Sequence, residues 1–387
     1  MRVVGIPRFM NRHLERFRYF FTPAQFEHFK RYVTGLILAQ GRRTVLSINR
    51  LYLDACDQSR LSRFLKDPGW SRRAVANLRR RIAHEMAVGT GACEHLVILD
   101  DTLLNRADGH CVEGAACHYA GGGRTARGHC LVTAHLLSGA LSLPLDARLY
   151  VKRSHALPNT GTAKSALACD LVRKSVSGLP GSVVFLADSW YFRRDLVSAV
   201  TRRGWDWIFS VRADRKAWAG GDLHRVSALD PDGGGLCAVP GIGPVRIVGW
   251  KSPTRHKRTR WLATNRLDWP PRAVIARYSR RTMIEVFYWS AKQRLGLRDY
   301  RGRTALGVMS HCEMAFCAYT TLVALDEERA AGRRLRTLGK QCEWAVEQAA
   351  IENMRRAYRR GRLGLEWERL RCAEEETPYD DCCAAQA

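Results

Sequence analysis

Four side chains that could take part in phosphate chemistry recur at helical spacing in RYSRRTMIEVFYWSAKQRLG, residues 277–296. They are Tyr278, Arg281, Glu285 and Lys292. At about 100° per residue, these positions lie within roughly 60° of one another on a helix. A carboxylate on this face can bind a divalent cation, and the two basic groups can bind phosphate oxygens. Alternatively, the face is solvated, and Arg281 and Glu285 form only a surface ion pair at i,i+4.

The opposite side of the same predicted helix is apolar. Its residues are Met283, Ile284, Phe287, Ala291 and Leu295. Such a stripe predicts that the helix packs against a sheet and turns its polar face outward or into a cleft.

Further carboxylates follow two apolar strands. HLVILDDT (95–102) is predicted to end a strand with Asp100 and Asp101, and VVFLADSWYF (183–192) to end another with Asp188. Sites in open sheets are built at the carboxyl ends of strands. Two such aspartates and a helical glutamate could hold a pair of hard divalent cations about 4 Å apart, as in-line phosphoryl displacement requires. Each aspartate alone could also be a helix cap or a turn former.

The charge of the chain indicates a polyanionic partner. Lysine and arginine number 63 against 37 acidic residues, which gives a formal net charge of +26. Solubility does not need an imbalance of this size, whereas basic side chains bind nucleic-acid phosphates. The 13 cysteines form no regular framework and are odd in number. They favour a reduced cytosol over a disulfide scaffold, so we expect a cytoplasmic location.

Residues 1–92 are predicted to form an all-helical, basic DNA-binding region. RLSRFLKDPGWSRRAVANLRRRIAHEM (60–86) predicts a helix, a turn and a second helix capped by Ser71. The second helix is either one that enters a DNA groove or the solvated basic face of a helical subdomain. Its candidate DNA-binding residues are Arg72, Arg73, Arg79 and Arg80.

Residues 93–325 are predicted to form an α/β core. Three strands precede an alternation of helix and strand, which predicts a mixed sheet covered by helices. Residues 213–268 are rich in Gly, Pro and short β-type runs and predict a β-rich insertion. MAFCAYTTLVAL (314–325) is too short to cross a bilayer and predicts a core helix, so no membrane is expected. Residues 326–387 are predicted to form a helical C-terminal tail.

The spacing of these motifs resembles that of bacterial insertion-sequence transposases of the DDE type. In one branch of that family, the third acidic residue lies in a Tyr-Arg-Glu-Lys signature with two, three and six intervening residues, which the opening four residues match. DSWY, beginning at Asp188, resembles the second-aspartate motif. DDT, beginning at Asp100, resembles the first. The β-rich stretch lies where this branch carries its insertion.

The resemblance implies an RNase H-like core in which Asp100, Asp188 and Glu285 bind two Mg²⁺ ions, for which Mn²⁺ can substitute. Asp101 is the alternative first ligand, because the doublet is ambiguous; the spacing to Thr102 favours Asp100. The enzyme would nick the ends of a DNA element and join the freed 3′-hydroxyl to target DNA. Pairing of two ends implies a homodimer in a synaptic complex. ATP is not expected, because the P-loop pattern is missing.

The same resemblance implies roles in DNA contact. Arg281 and Lys292 would hold phosphates, and Tyr278 would contact the DNA backbone. Trp289 would stack on a displaced base, with core packing as its alternative. The basic run KSPTRHKRTR (251–260) adds further candidates, or is a solvated charge run. These candidates are Arg255, Lys257 and Arg258.

Three other interpretations remain open. The chain could be a domesticated or inactive DNA-binding relative or repressor, which would not require three carboxylates facing phosphate. It could also be an RNase H-like nuclease that never joins DNA, because hydrolysis and joining use the same ligands. HCVEGAACH (110–118), with His129 and Cys130, invites a zinc interpretation, but its spacing favours a metal-free loop.

Overall fold

The computed structural model describes residues 3–66, 69–106, 111–119, 123–152, 163–175, 178–230, 235–251, 259–330 and 335–362. The predicted N-terminal helices are present, with a 3-10 helix over Glu15–Phe20. They are α1 (Arg8–Leu14), α2 (Pro23–Leu38), α3 (Val45–Arg50), α4 (Gln58–Lys66) and α5 (Arg72–Gly89). Ser71 caps α5 as predicted, because its side chain accepts a hydrogen bond from the backbone N–H of Ala74 at 3.2 Å.

All strands of the described chain belong to one mixed sheet. They are β1 (Glu94–Asn105), β2 (Ala116–Tyr119), β3 (Thr125–Ser138), β4 (Leu141–Tyr150), β5 (Ser182–Ala187), β6 (Asp206–Val211), β7 (Lys216–Ala219), β8 (Asp222–Arg225), β9 (Gly235–Val239), β10 (Gly243–Lys251) and β11 (Thr259–Thr264). The order is β2-β3-β1-β5-β6-β11-β10-β9-β7-β8, with β4 paired to β3. Antiparallel β1, β3 and β4 are followed by parallel β5 and β6, which confirms the predicted mixed sheet.

The β-rich segment predicted over 213–268 continues the core sheet. Strand β11 pairs antiparallel with β6, with Leu262 opposite Ser210, and β7 to β10 extend the ladder outward. Backbone hydrogen bonds therefore join this segment to the core directly. The domain boundaries drawn from the sequence stay predictions.

In the described chain, six α-helices follow the first strands. They are α6 (Lys164–Ser175), α7 (Arg194–Thr201), α8 (Pro271–Ser279), α9 (Met283–Arg294), α10 (Ala305–Ala330) and α11 (Leu338–Arg362). Helix α10 is long and apolar enough to cross a membrane by length and composition, but its apolar window is entirely buried inside the protein. It packs against α2, α4, α5 and β4, so the predicted core helix is confirmed and ties the N-terminal helices to the sheet.

Acid is expected to destabilise this fold, because two core histidines are buried in their neutral form. His135 and His311 are both 0% exposed. Burial lowers the pKa of His135 to about 3 and the pKa of His311 to about 4. Each group therefore contributes stability that is present above the unfolded-state pKa, about 6.5, and is lost as pH falls toward the folded-state value.

Urea denaturation between pH 7 and pH 5 measures this loss. Below pH 6.5, the free energy of unfolding should fall by about 1.4 kcal/mol per pH unit for each such histidine. His311→Gln should make this dependence shallower, whereas His224→Gln, at an exposed position, should leave it unchanged. An equally steep dependence in His311→Gln would contradict the assignment.

Candidate active site

The signature residues do not share one continuous α-helix, which corrects the sequence prediction. Helix α8 ends at Ser279, a 3-10 turn spans Arg280–Thr282, and α9 begins at Met283. The hydroxyls of Ser279 and Thr282 donate to backbone oxygens three residues earlier, at 2.8 and 3.1 Å. Such local side-chain hydrogen bonds compete with regular α-helical bonding. The tighter turn places Arg281 between the two helices.

Within α9, the predicted amphipathic pattern is confirmed. Ile284, Phe287 and Ala291 are at most 1% exposed. On the other side, the side chain of Glu285 is 66% exposed. Glu285 therefore points away from the core. It lies four residues, about one helical turn, beyond Arg281.

Asp100 and Asp188 are neighbours across two parallel strands. Leu99 of β1 pairs with Ala187 of β5, and the residue that follows each of them in the sequence is an aspartate. Neighbouring strands lie about 4.8 Å apart. Asp188 follows the last residue of β5, as predicted. Strand β1 instead continues through Asp100, because its ladder with β3 extends beyond the apolar run.

Arg281 joins the carboxylates. Its Nη2 lies 2.7 Å from Oδ2 of Asp100, and its Nη1 lies 3.8 Å from Oε1 of Glu285. It is also the charge that most opposes the raised pKa of Asp188. One guanidinium thus contacts two carboxylates and acts electrostatically on the third, and its buried Nε has no hydrogen-bond partner among the described residues.

Strand alternation separates the two members of the Asp100-Asp101 doublet. Consecutive side chains of a strand point to opposite faces. Asp100 meets Arg281, whereas Asp101 accepts hydrogen bonds from Lys164 at 2.7 Å and Tyr191 at 3.1 Å. Cys130 lies 3.3 Å from the same carboxylate. Asp101 is therefore committed to a separate polar cluster, and Asp100 is the one that faces Arg281.

Burial dominates the protonation of the aspartate pair. It raises the pKa of Asp100 to about 7 and also raises the pKa of Asp188, against the opposing effect of Arg281. The ionised pair therefore lacks compensating positive charge, which a divalent cation can supply. The residue types fit such a cation, since all three carboxylates offer hard oxygen donors. Within the described residues, no three His, Cys, Asp or Glu side chains form a ready metal cluster.

The other signature residues occupy different environments. Tyr278 is 6% exposed, and its hydroxyl donates to the backbone oxygen of Ala187 at 3.3 Å. This burial corrects the prediction of a contact with the DNA backbone; Tyr278 instead supports the strand end beside Asp188. Lys292 is half-buried, and burial lowers its pKa, with Arg298 adding to the effect. It has no ion pair with any described residue.

Two tryptophans near the carboxylates face solvent. Trp289 of α9 is 59% exposed, so core packing does not account for it. Trp190 is 67% exposed, and its backbone N–H donates to Oδ1 of Asp188 at 2.9 Å. The sequence reading missed Trp190; its position two residues beyond a strand-end aspartate was the available signal.

The basic candidates of α5 divide between interior and surface. Arg79 is 0% exposed and donates to Glu313 at 2.6 Å and to the backbone oxygens of Pro144 and Leu145. It cannot reach DNA, which corrects that prediction. Arg80 pairs with Asp146. The surface face of the helix carries Arg73, Asn77 and Arg81, four residues apart, with Arg72 half-buried beside it.

Some predicted site residues are not among those that the structure describes. Arg255, Lys257 and Arg258 lie beyond the described residues. His110 of the candidate zinc stretch also lies beyond them. His129, from the same candidate zinc set, forms a hydrogen bond with the backbone oxygen of Glu113 at 3.0 Å.

Comparison with known proteins now adds to this geometry. None of the curated protein sequences matches the chain. Among solved structures, it is similar in fold to the piggyBac transposase in a cryo-EM synaptic complex with hairpin DNA, with a TM-score of 0.50. That similarity covers 98% of this chain and 83% of the other at 12% identity, and it confirms the predicted fold class.

A family model described as DDE superfamily endonuclease matches residues 16–261. The match contains Asp100 and Asp188 and stops before Glu285, whose assignment depends on the signature spacing. Because this model covers well over half of the sequence, the chain belongs to the DDE superfamily endonucleases.

Proposed function

We propose that the protein is a DDE transposase of the insertion-sequence type. It would cut the ends of a DNA element and join the 3′-hydroxyl ends to target DNA. The observation that carries this proposal is the shared guanidinium: Arg281 contacts Asp100 and Glu285, and Asp188 directly follows the adjoining strand β5. Membership of the DDE superfamily and the net charge of +26 support it.

The three carboxylates would hold divalent cations, with two Mg²⁺ ions as the natural complement and Mn²⁺ as a substitute. When bound, such ions supply charge stabilisation to the attacking and leaving oxygens of an in-line displacement. Asp100 lies on β1 and Asp188 directly follows β5, so the pairing of Leu99 with Ala187 holds the two backbones side by side. Glu285 is on α9, and its exposed carboxylate lies 3.8 Å from Arg281.

The basic residues of the signature would hold the substrate. Arg281, whose guanidinium already lies between Asp100 and Glu285, would donate to a phosphate oxygen. Lys292 lies two turns beyond Glu285 without an acidic partner in the described chain, so it can neutralise a second phosphate. Trp289 and Trp190 present exposed rings on which a displaced base can stack.

Residues behind the site would position it. Asp101, Lys164 and Tyr191 form a hydrogen-bonded cluster on the opposite face of β1. Because Tyr191 follows Asp188 by three residues, this cluster ties the β5 loop to β1 and keeps the two catalytic aspartates in register.

The partners follow from the reaction. Element ends and target DNA would both be bound, and two ends would be paired by a homodimer in a synaptic complex. A cytoplasmic, nucleoid-associated location suits a DNA substrate and free thiols. No nucleotide cofactor is proposed.

The test is incubation of purified protein with Mg²⁺, a labelled duplex carrying the element's end, and a target plasmid. Cleaved ends followed by a joined product support the transposase. Cleavage without joining at any end concentration would favour a nuclease, and binding with neither product would indicate a DNA-binding relative. Glu285→Gln is the matched control, since it keeps the shape of the side chain and should bind DNA without cutting it.

A further inference from the structure

A basic cleft of about 400 Å³ lies at the edge of the sheet formed by β4, away from the carboxylates. Three elements line it: the first turns of α5, the strand β4, and the end of α6. The charged side chains in its wall are Arg72, Arg73, Arg80, Arg148, Lys174 and Asp146. We call it the β4-edge cleft.

Positive charge exceeds negative charge in this cleft. Asp146 is shared by Arg80 and Arg148, and its side chain is only 3% exposed. Asp170, just behind the wall, pairs with Arg148 and Lys174. Five cations thus face two carboxylates, each of which is already shared. Clustered like charges of this kind repel one another unless an anion is bound among them.

Arg72 and Arg73 supply the uncompensated part of that charge. Neither forms an ion pair with a described residue, and they are the first two residues of an 18-residue helix. The amino end of a helix adds partial positive charge at the same place. The site therefore has two unpaired guanidinium groups in front of the ion-paired, half-buried Arg80 and Arg148.

The wall suits phosphate and not a nucleobase. Among the described residues that line it, none is aromatic. Stacking on aromatic rings is the usual means of holding an unpaired base. Arginine forks match phosphate oxygens in bidentate fashion, and they predominate here.

The cleft lies at the same level along the strands as the carboxylate site. Asp100 pairs with Thr133 of β3, which in turn pairs with Ala147 of β4, between Asp146 and Arg148. Two strand spacings separate these positions, about 10 Å. Because consecutive residues of a strand point to opposite faces, Asp146 and Arg148 lie on the face of Asp101, so the cleft is on the other face of the sheet from Asp100.

We propose that the β4-edge cleft binds backbone phosphates of duplex DNA that flanks the segment held at the carboxylate site. This inference rests on the proposed function for the position of the DNA, but its test does not depend on catalysis. A contact of this kind positions DNA without reading its sequence. It would hold the duplex flank while Arg281 and Lys292 hold the reacting end.

The test measures DNA affinity from 50 to 200 mM salt in the Glu285→Gln background, where we expect no cleavage. Arg72→Gln/Arg73→Gln is compared with Arg355→Gln/Arg359→Gln, which removes equal charge from exposed positions of α11. Loss of two phosphate contacts should reduce the slope of log K against log salt by about 1.8. Element-end and unrelated duplexes should be affected equally.

Equal slopes in the cleft and control variants would overturn the proposal, as would a loss confined to the element-end sequence. Arg73→Gln alone changes an exposed residue and should give about half the effect, which guards against misfolding of the double variant. If the wild type never cuts DNA but the slopes differ as expected, the proposed function fails and the cleft stands. If it cuts normally and the slopes are equal, only the cleft fails.

Discussion

Asp100→Asn is expected to abolish metal-dependent strand cleavage, whereas Asp101→Asn, one residue along the chain, should leave it measurable. Asp100 faces Arg281 and adjoins Asp188, and Asp101 is held by Lys164 and Tyr191 on the other side of the sheet. Disturbing a residue that only orients metal ligands costs about 10–100-fold, and removal of a ligand itself should cost more. We therefore expect over 100-fold loss for Asp100→Asn and less for Asp101→Asn.

Initial rates of end cleavage at saturating Mg²⁺ measure both effects. DNA affinity is the control and should change little, because neither aspartate is proposed to bind phosphate. A larger loss in Asp101→Asn than in Asp100→Asn would reverse the assignment of the doublet. Equal activity of both variants and wild type would remove β1 from the catalytic site.

Arg79→Met is expected to lower the free energy of unfolding by about 3–5 kcal/mol, the usual result of breaking a buried ion pair. The side chain of Arg79 is 0% exposed and that of Glu313 is 4% exposed. The substitution leaves Glu313 charged and buried, and it removes the donors to Pro144 and Leu145 at the edge of β4. Helix α5 would lose one of its polar contacts with β4 and its ion pair with α10.

Urea denaturation at pH 7 of the single and double variants separates charge from packing. Arg79→Met/Glu313→Leu should recover much of the loss, because no buried carboxylate remains without a partner. Arg81→Met, an exposed change on the same helix, should have little effect. A cost below about 1 kcal/mol for Arg79→Met would show that this pair does not anchor α5.

The sequence predicted well those features that local patterns determine. The apolar stripe of α9, the cap at Ser71 and the strand that ends before Asp188 all follow from short-range periodicity and side-chain chemistry. The interruption of the helix at Arg280–Thr282 does not follow from periodicity, because a helical wheel assumes regular α-helical geometry at every residue. Two hydroxyl residues bonding back to the chain were the local signal for it.

Other features depend on distant residues and could not be read from local patterns. Strand β1 continues through two aspartates because β3 offers a partner up to Gly128. Arg73 and Arg79 are both arginines of the same basic helix, and the local sequence does not distinguish them. Arg79 is the buried one because it pairs with Glu313, which is distant in the sequence. The β-rich segment joins the core sheet through the pairing of β11 with β6, which composition does not reveal.

The central claim is that Asp188, with Asp100 and Glu285, binds the catalytic metal. Asp188→Cys tests it most directly, assayed for end cleavage in Mg²⁺ and in Mn²⁺. A thiolate is a poor ligand for hard Mg²⁺ and a better one for a transition metal. We predict activity lost in Mg²⁺ and partly restored in Mn²⁺, with no such restoration in Asp188→Ala. Equal loss in both metals, or full activity in Mg²⁺, would contradict metal binding by this carboxylate.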